Sequence, residues 1–337
     1  MTVARIARLA GVSAPTVSRV LNGQAGVARG TRQRVEEVLR QHGYQRPEGS
    51  GRLAILEVVF HALESPWALD IITGIEQVAR GHELAVVLTE MEGRLTPGRA
   101  WTEQVLARRP TGVIAVFSEL TVQQQSQLAI RGIPLVVLDP TGEPLHQTPS
   151  VGATNWSGGL AATRHLLELG HRRIGMLSGP TEWPCCRARL DGFRAAMDAA
   201  GVPVDPELVR VSTLYVEGGM RDGAELLRLP DPPTAIVTAN DFQAMGTYQA
   251  ARRAGRRIPE DLSVVGFDDL QFAAWSVPPL TTVRQPLARM GATAAELVLA
   301  LAAGEQPEQP RVELATTLIV RESTAPPFAR PCALKDF

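Results

Sequence analysis

Arginine side chains are concentrated at the start of this 337-residue sequence. Residues 1–46 contain eight arginines and two glutamates, a formal charge of +6, whereas the whole chain has a net charge of −1 and the remainder therefore carries −7. Guanidinium groups at this density bind polyanions such as duplex phosphates. The charge split predicts a small segment that contacts nucleic acid and a larger acidic part that does not.

Apolar residues recur at helical spacing three times within this basic segment. The spacing predicts helices over residues 3–10, 14–22 and 31–42. Between the first two, Gly11 provides the backbone freedom of a tight turn, and Ser13 can cap the second helix. Two short helices joined by a glycine-containing turn, with a third helix in support, form a helix-turn-helix.

The contiguous run Ala7–Asn22, ARLAGVSAPTVSRVLN, resembles the DNA-binding head of lactose-repressor (LacI/GalR) family regulators. The resemblance implies that Ala14, Pro15 and Arg19 face base edges in the major groove. Ala14 and Pro15 have no side-chain donor and make apolar contacts only, whereas the Arg19 guanidinium can donate two hydrogen bonds to one guanine. The polar residues expected to contact phosphates are Ser13, Thr16, Ser18 and Asn22.

The linker at residues 47–52 departs from this family. Its relatives carry a hinge helix there, which ends in a leucine that enters the minor groove. Pro47, Gly49 and Gly51 lie within five residues of one another and disfavour a helix. We therefore expect an atypical hinge.

From residue 53 onward, short β-branched runs alternate with helical segments. The predicted strands are 53–60, 84–88, 113–117, 135–138, 173–177, 208–211, 235–238 and 263–267. The predicted helices are 67–81, 100–108, 121–132, 157–170, 187–201, 218–227 and 242–255. This alternation predicts two doubly wound parallel lobes with a ligand between them, at the carboxyl ends of the strands.

The family resemblance extends into this part through Leu166–Gly175, Arg189–Phe193, Asn240-Asp241, Val264–Asp269, Pro278–Gln285 and Val320–Ser323. It implies an all-α helix-turn-helix head joined to an α/β two-lobed sensor domain of the periplasmic-binding-protein-like fold. The expected divisions are 1–46 for the head, 47–52 for the linker, 53–152 plus 283–309 for the N-terminal lobe, 153–282 plus 310–325 for the C-terminal lobe, and 326–337 for a tail.

Three residues match, by motif position, the side chains with which the family contacts sugars: Arg189, Asn240 and Asp268. Their chemistry agrees, because a guanidinium, an amide and a carboxylate bind neighbouring hydroxyls in pairs. Each also has a structural alternative. Arg189 can form a structural salt bridge with the nearby Asp191 or Glu182. Asn240 can cap the following helix, and Asp268 can cap a turn.

Sugar sites also place aromatic rings against the apolar faces of the sugar. The chain has only sixteen aromatic residues, and Trp67 and Trp275 lie where a cleft residue can lie. Ordinary packing is the alternative for both. Asp139, at the end of the fourth predicted strand, and Tyr215 complete the expected effector contacts.

Catalytic and metal-binding motifs are missing from the sequence, so we expect neither an enzyme nor a cofactor nor a metal. The six histidines are scattered, and the adjacent pair Cys185-Cys186 lacks the spacing of a metal knuckle. No apolar run approaches the ~20 residues of a membrane span, and the N-terminus lacks a secretory core. Together with the low cysteine count, these features predict a cytoplasmic protein without membrane contact.

These observations predict a homodimeric transcriptional regulator that binds a pseudo-palindromic double-stranded DNA operator. We expect it to act as a repressor. A carbohydrate effector, such as xylose or an oligosaccharide, would lower operator affinity. The stretch at residues 60–67 resembles actinobacterial regulators of xylose or plant-polysaccharide use. The alternatives are a regulator with a purine-like corepressor and, from a different class, a sugar-binding protein or sugar-modifying enzyme of the same fold.

Overall fold

A computed structural model describes residues 2–21, 26–42, 53–63, 65–91, 94–118, 120–139 and 148–327 of the chain. The chain divides into two compact units. Unit 1 comprises Met1–Gly152 and Leu287–Val312, and unit 2 comprises Ala153–Pro286 and Glu313–Phe337. Within the described residues, no helix combines the length and the apolar character that crossing a bilayer requires.

The head forms three helices, α1 (Val3–Ala10), α2 (Ala14–Leu21) and α3 (Arg29–Gln41). Thr2 caps α1, because its side-chain oxygen accepts a hydrogen bond from the Arg5 N–H at 3.4 Å. The helix-turn-helix prediction is confirmed. The apolar residues buried between the helices are Ile6, Ala7, Ala10, Val17, Val20, Leu21, Val35 and Leu39.

The remaining elements alternate as expected. In chain order they are β1 (Leu53–Phe60), α4 (Pro66–Gly81), β2 (Ala85–Glu90), α5 (Arg99–Arg108), β3 (Pro110–Val116), α6 (Val122–Ile130), β4 (Leu135–Leu138), β5 (Ser150–Ala153), α7 (Asn155–Glu168), β6 (Ile174–Ser178), α8 (Pro184–Ala199), a 3-10 turn (Pro206–Leu208), β7 (Val209–Val211), α9 (Val216–Leu227), β8 (Ala235–Thr238), α10 (Asp241–Arg253), β9 (Ser263–Asp268), α11 (Gln271–Trp275), β10 (Thr281–Arg284), α12 (Leu287–Ala302), β11 (Arg311–Leu314) and β12 (Thr317–Ile319).

Each unit contains one six-stranded sheet, ordered β11-β5-β4-β3-β1-β2 in unit 1 and β12-β10-β9-β8-β6-β7 in unit 2. β1 pairs in parallel with β2 and β3, and β6 pairs in parallel with β7 and β8. The chain therefore reverses its strand order between β1 and β3 and again between β6 and β8. In doubly wound sheets, ligands bind at the carboxyl ends of the strands beside such a point. The predicted fold class is confirmed.

Two domain boundaries lie later in the structure than the sequence predicted. β10 pairs with β9 and β12, so Val283 and Arg284 belong to the second sheet and not to the N-terminal lobe. β11 joins β5 in the first sheet, so unit 1 extends to Val312 rather than ending at residue 309. The division after Gly152 is at the expected residue. The linker at 47–52 and tail residues 328–337 lie outside the described residues.

Candidate functional sites

The second helix of the head presents an exposed surface opposite its buried side. Val17, Val20 and Leu21 face the apolar core of the head. The reading face, which we define as Ala14, Pro15, Ser18 and Arg19, is exposed on α2. The structure therefore leaves the residues expected at base edges accessible to a duplex.

The start of α2 is held by two hydroxyl groups. Thr16 donates its backbone N–H to Ser13 Oγ at 3.3 Å, and the two side-chain oxygens lie 2.8 Å apart. Ser13 is exposed and Thr16 is half-buried. Ser13 thus caps the helix, as the sequence allowed, while its predicted phosphate contact remains a prediction. Asn22, the other phosphate ligand expected nearby, lies outside the described residues.

The head exposes further arginines. Arg5, Arg8, Arg29 and Arg34 are all exposed in the head. On α3, the Arg40 guanidinium donates to both Glu37 carboxylate oxygens, and these bonds hold the pKa of Glu37 below its ordinary value. Glu37 therefore stays ionised and offsets Arg40, so most of the head's cationic surface comes from its other arginines.

In unit 2, two helices approach each other closely enough to place Arg189 against Asn155. A Cβ atom on Gly159 of α7 would lie 2.2 Å from the Arg189 carbonyl oxygen, and one on Gly192 of α8 would lie 2.2 Å from the Trp156 oxygen. Only glycine permits backbones at this distance. The contact brings Asn155, the first residue of α7, to the middle of α8.

The Arg189 side chain is only 4% exposed and is held on several sides. Its Nε donates to Asn155 Oδ1 at 2.8 Å, and a terminal nitrogen donates to the Ala239 carbonyl oxygen at 2.5 Å. The same nitrogen lies 3.7 Å from Asp268 Oδ1, and the guanidinium carbon sits 3.8 Å from the centre of the Phe267 ring. Arg189 thus forms its ion pair with Asp268 rather than with the neighbours Asp191 or Glu182, and this pair joins two of the predicted effector residues.

Gln285 extends this group, and sequence reasoning missed it. Its amide nitrogen donates to Asp268 Oδ1 at 2.7 Å. Its amide oxygen is buried and has no hydrogen-bond partner within the part of the chain that the structure describes. An unpaired buried acceptor costs about 1–3 kcal/mol, which is typical of a site that serves a ligand. We call Asn155, Arg189, Asp268 and Gln285 the Arg189 cluster.

Asp268 ends β9 in an unusual backbone conformation. Its φ is 110° and that of Asp269 is 60°. Non-glycine residues at such angles are strained and occur preferentially at binding sites. Asp269 accepts hydrogen bonds from Arg284 at 2.7 Å and from Arg321 at 2.6 Å, so these two arginines pair with Asp269.

A second carboxyl group lies beneath Asp268. Asp241 is fully buried and accepts hydrogen bonds from the Thr282 hydroxyl at 2.6 Å and from the Leu270 N–H at 2.8 Å. Burial, followed by the nearby Asp268 carboxylate, raises the pKa of Asp241 well above its ordinary value. The predicted motif Asn240-Asp241 thus places a proton-binding group inside unit 2.

Asn240 adopts the structural alternative that the sequence left open. Its side-chain oxygen accepts the Gln243 N–H at 2.9 Å and caps α10, while its amide nitrogen donates to the Leu214 carbonyl oxygen at 2.9 Å. The structure does not join Asn240 to Arg189 by a side-chain hydrogen bond. Its predicted contact with an effector remains a prediction.

The aromatic candidates of unit 2 are both largely exposed. Tyr215 precedes α9 and is 60% exposed, and Trp275 ends α11 and is 73% exposed. Neither ring forms an aromatic pair within the described residues. Ordinary core packing therefore does not explain Trp275.

Unit 1 gathers a separate group at the ends of its central strands. Trp67 begins α4 and meets Phe117 edge-on with ring centres 6.1 Å apart, and His61 meets the same ring at 5.9 Å. Phe117 follows β3 at φ 46°, and Asp139 follows β4 at φ 48°, where Asp139 is buried and donates its N–H to the Val151 oxygen at 2.8 Å. Ser118, missed by sequence reasoning, is buried next to Phe117, and its hydroxyl has no partner among the described residues.

No group of three or more histidine, cysteine or carboxylate side chains that could hold a metal ion occurs in the described ranges. The Cys185 and Cys186 sulfurs are 4.0 Å apart, and both residues are buried.

Comparisons with known proteins match both parts of the chain. Residues 2–47 match the family "Bacterial regulatory proteins, lacI family", and residues 163–324 match the "Periplasmic binding protein-like domain". The HTH-type transcriptional repressor CytR of Escherichia coli K12 is 32% identical over 333 residues, which cover 96% of each chain.

Solved structures agree with this assignment. The transcriptional regulator CelR in complex with cellobiose superimposes with a TM-score of 0.74 at 32% identity, covering 96% of this chain and 99% of that one. The lac repressor dimer bound to operator and the anti-inducer ONPF gives a TM-score of 0.70 at 28% identity, with the same coverage. With an exposed helix-turn-helix face and two doubly wound units, the chain belongs to the lacI family of bacterial regulatory proteins and is a DNA-binding transcriptional regulator, not an enzyme.

Proposed function

We propose that this regulator is a repressor that binds operator DNA as a homodimer and releases it when a carbohydrate effector binds at the strand ends of unit 2. The observation that carries the proposal is the Arg189 cluster. It brings together a guanidinium, a carboxylate and two amides at the strand ends of unit 2, and all four residues are buried. Small-molecule sites take this form, with few polar groups held in fixed orientations.

The chemistry of the Arg189 cluster favours a polyhydroxy ligand. A sugar hydroxyl both donates and accepts, so it can donate to the Gln285 oxygen or the Asp268 carboxylate and accept from Arg189. The exposed Trp275 and Tyr215 offer faces for the apolar side of a sugar ring. In unit 1, Trp67 and Asp139 form a second set of expected contacts. The cellobiose bound by the similar CelR structure supports the same ligand class.

Operator binding is assigned to the reading face. Arg19 would donate to a guanine, with Ala14 and Pro15 against apolar base features such as a thymine methyl. Two heads in a dimer require two half-sites, so we expect a pseudo-palindromic operator. The operator-bound lac repressor dimer, which is similar over nearly the whole chain, supports this arrangement.

The effector proposal is tested by thermal unfolding of the full chain with a panel of ligands. The panel contains xylose, cellobiose, other mono- and disaccharides, and purine bases. A carbohydrate present at 100 times its Kd should stabilise the native chain by about 2.7 kcal/mol. Asp268→Asn should abolish the shift, whereas Asp198→Asn, an exposed control on α8, should leave it unchanged.

A panel in which no carbohydrate shifts the transition would reject the effector class. Stabilisation by a purine base, together with tighter operator binding, would support corepression instead. An equal sugar response in the native chain and in Asp268→Asn would move the site away from the Arg189 cluster.

A further inference from the structure

The last turn of α6 in unit 1 contacts the head. Arg131, which follows this helix, is 8% exposed. Its Nε donates to the Leu21 carbonyl oxygen at 3.0 Å, and a terminal nitrogen donates to the Val20 carbonyl oxygen. Both acceptors lie in the last turn of α2. The guanidinium of unit 1 therefore caps the helix that carries the reading face.

Two more residues on the same side of α6 contact the head. Ile130 is buried within the head's own apolar cluster, beside residues of α1, α2 and α3. Gln127 donates its side-chain amide to Glu36 of α3 at 3.4 Å. Positions i, i+3 and i+4 share one face of a helix, so Gln127, Ile130 and Arg131 form one continuous contact surface, which we call the dock.

The contact satisfies backbone carbonyl groups at the end of α2. A helix of eight residues is marginal by itself, and its final carbonyl groups have no partner within the helix. These carbonyls also carry the negative end of the helix dipole, which a cation stabilises. The planar Arg131 guanidinium meets two of them at once, a geometry that lysine cannot reproduce.

The dock is narrow. Beside it, residues of α3, α5 and α6 line a cleft of about 640 Å³, among them Arg29, Glu36 and Thr102. The head is therefore held at the end of α6 rather than along a broad face. The reading face of α2 remains exposed in this docked arrangement.

We propose that the dock fixes the head on the rest of unit 1 and that Arg131 is a positioning residue for the recognition helix. A head held in one orientation loses less orientational freedom when it binds DNA than a head on a free tether. The dock therefore raises operator affinity without touching the duplex. This inference rests on the DNA-binding role of α2 and not on the identity of the effector.

Hydrogen exchange of the full-length chain tests the dock directly. In Arg131→Gln, amides of α1, α2 and α3 should exchange about 10-fold faster, while those of β1 and β3 stay at the native rate. Operator affinity should fall by a similar factor of about 10. Arg131→Lys keeps the charge without the planar pair of donors. Its exchange rates and its operator affinity should lie between those of the native chain and those of Arg131→Gln. Arg80→Gln, a surface control on α4 of unit 1 whose arginine is paired with Glu76, should match the native chain.

Native exchange rates in the head of Arg131→Gln would overturn the proposal. Equally faster amide exchange in the head and in β1 and β3 would also overturn it. Arg131 would then stabilise the lobe rather than the head in particular. A second variant, Ile130→Ala, should accelerate the head in the same selective way. These measurements need no effector, so a failed ligand panel leaves their result intact.

Discussion

The reading face of the head and the Arg189 cluster of unit 2 are two binding surfaces built in opposite ways. The reading face comes from Ala14, Pro15, Ser18 and Arg19 on one short helix and is exposed. The Arg189 cluster comes from residues 155, 189, 268 and 285, and its side chains are buried and bonded to one another. A polyanion is recognised by an accessible face, whereas a small polar ligand needs groups that are already oriented and shielded from water.

The largest expected effect comes from removing the centre of the buried surface. Arg189→Ala leaves the Asp268 carboxylate buried without its cation and opens the hydrogen bonds to Asn155 and Ala239. We expect a loss of about 3–5 kcal/mol in the free energy of unfolding, measured by urea denaturation. Arg194→Ala, an exposed control on the same helix, should change it by less than about 1 kcal/mol. A small loss in both variants would show that the cluster is not preorganised.

The matching change on the exposed surface should leave folding intact. Arg19→Ala is expected to weaken operator binding by about 1–3 kcal/mol and to relax preference at one base pair, because a bidentate guanine contact is lost. Fluorescence anisotropy on the operator and on single-base variants measures both effects. Arg34→Ala on α3 is the control for loss of charge alone. An equal loss on every sequence with Arg19→Ala would reassign this side chain to the phosphates.

Titration of the buried carboxyl pair sharpens the contrast further. Because burial and Asp268 raise the pKa of Asp241 in the folded chain, the native state binds this proton more tightly than the unfolded state. The stabilisation is fully present below the ordinary aspartate pKa and is lost as the pH rises through the raised value. Relative to Asp241→Asn, the native chain should lose up to about 1.4 kcal/mol per pH unit in this window. Parallel urea midpoints for both chains across the window would contradict the raised pKa.

The smallest expected effect concerns the cap of the recognition helix. Ser13→Ala removes the acceptor for the Thr16 N–H and should destabilise α2 by about 1 kcal/mol, seen as faster amide exchange in that helix. Ser18→Ala on the reading face should leave exchange unchanged. If Ser13→Ala affects only DNA binding, with native exchange in α2, its role is phosphate contact rather than capping.

Contiguous sequence patterns predicted the head closely. α1 has the expected bounds and α2 begins at the expected residue, because turn, cap and apolar spacing all lie within a few residues of each other. The strands β1, β4 and β8 also have their expected bounds, because each is a predominantly apolar run between breaks.

Sequence reasoning missed two helices, α11 and α12, and four strands that depend on distant partners. β5, β10, β11 and β12 have three or four residues each, too few for alternation to be visible, and β10 is defined by its pairing with β9 and β12. Gln285 ends the family-like run Pro278–Gln285, but nothing in that run marked it as an effector contact, and only its hydrogen bond to Asp268, seventeen residues earlier, reveals its place in the cluster. Asn240 shows the converse, because its motif position indicated a ligand contact while its local geometry gave a helix cap.

The central claim is that occupation of the unit 2 site changes how tightly the head holds DNA. Operator binding of the full chain, followed by anisotropy at about 0.15 M salt with and without the sugar that stabilises it, tests this claim most directly. We predict specific binding that weakens 5–150-fold with the sugar in the native chain and not in Asp268→Asn. Equal affinity for palindromic and random duplexes, or operator affinity that the bound sugar leaves unchanged, would contradict it.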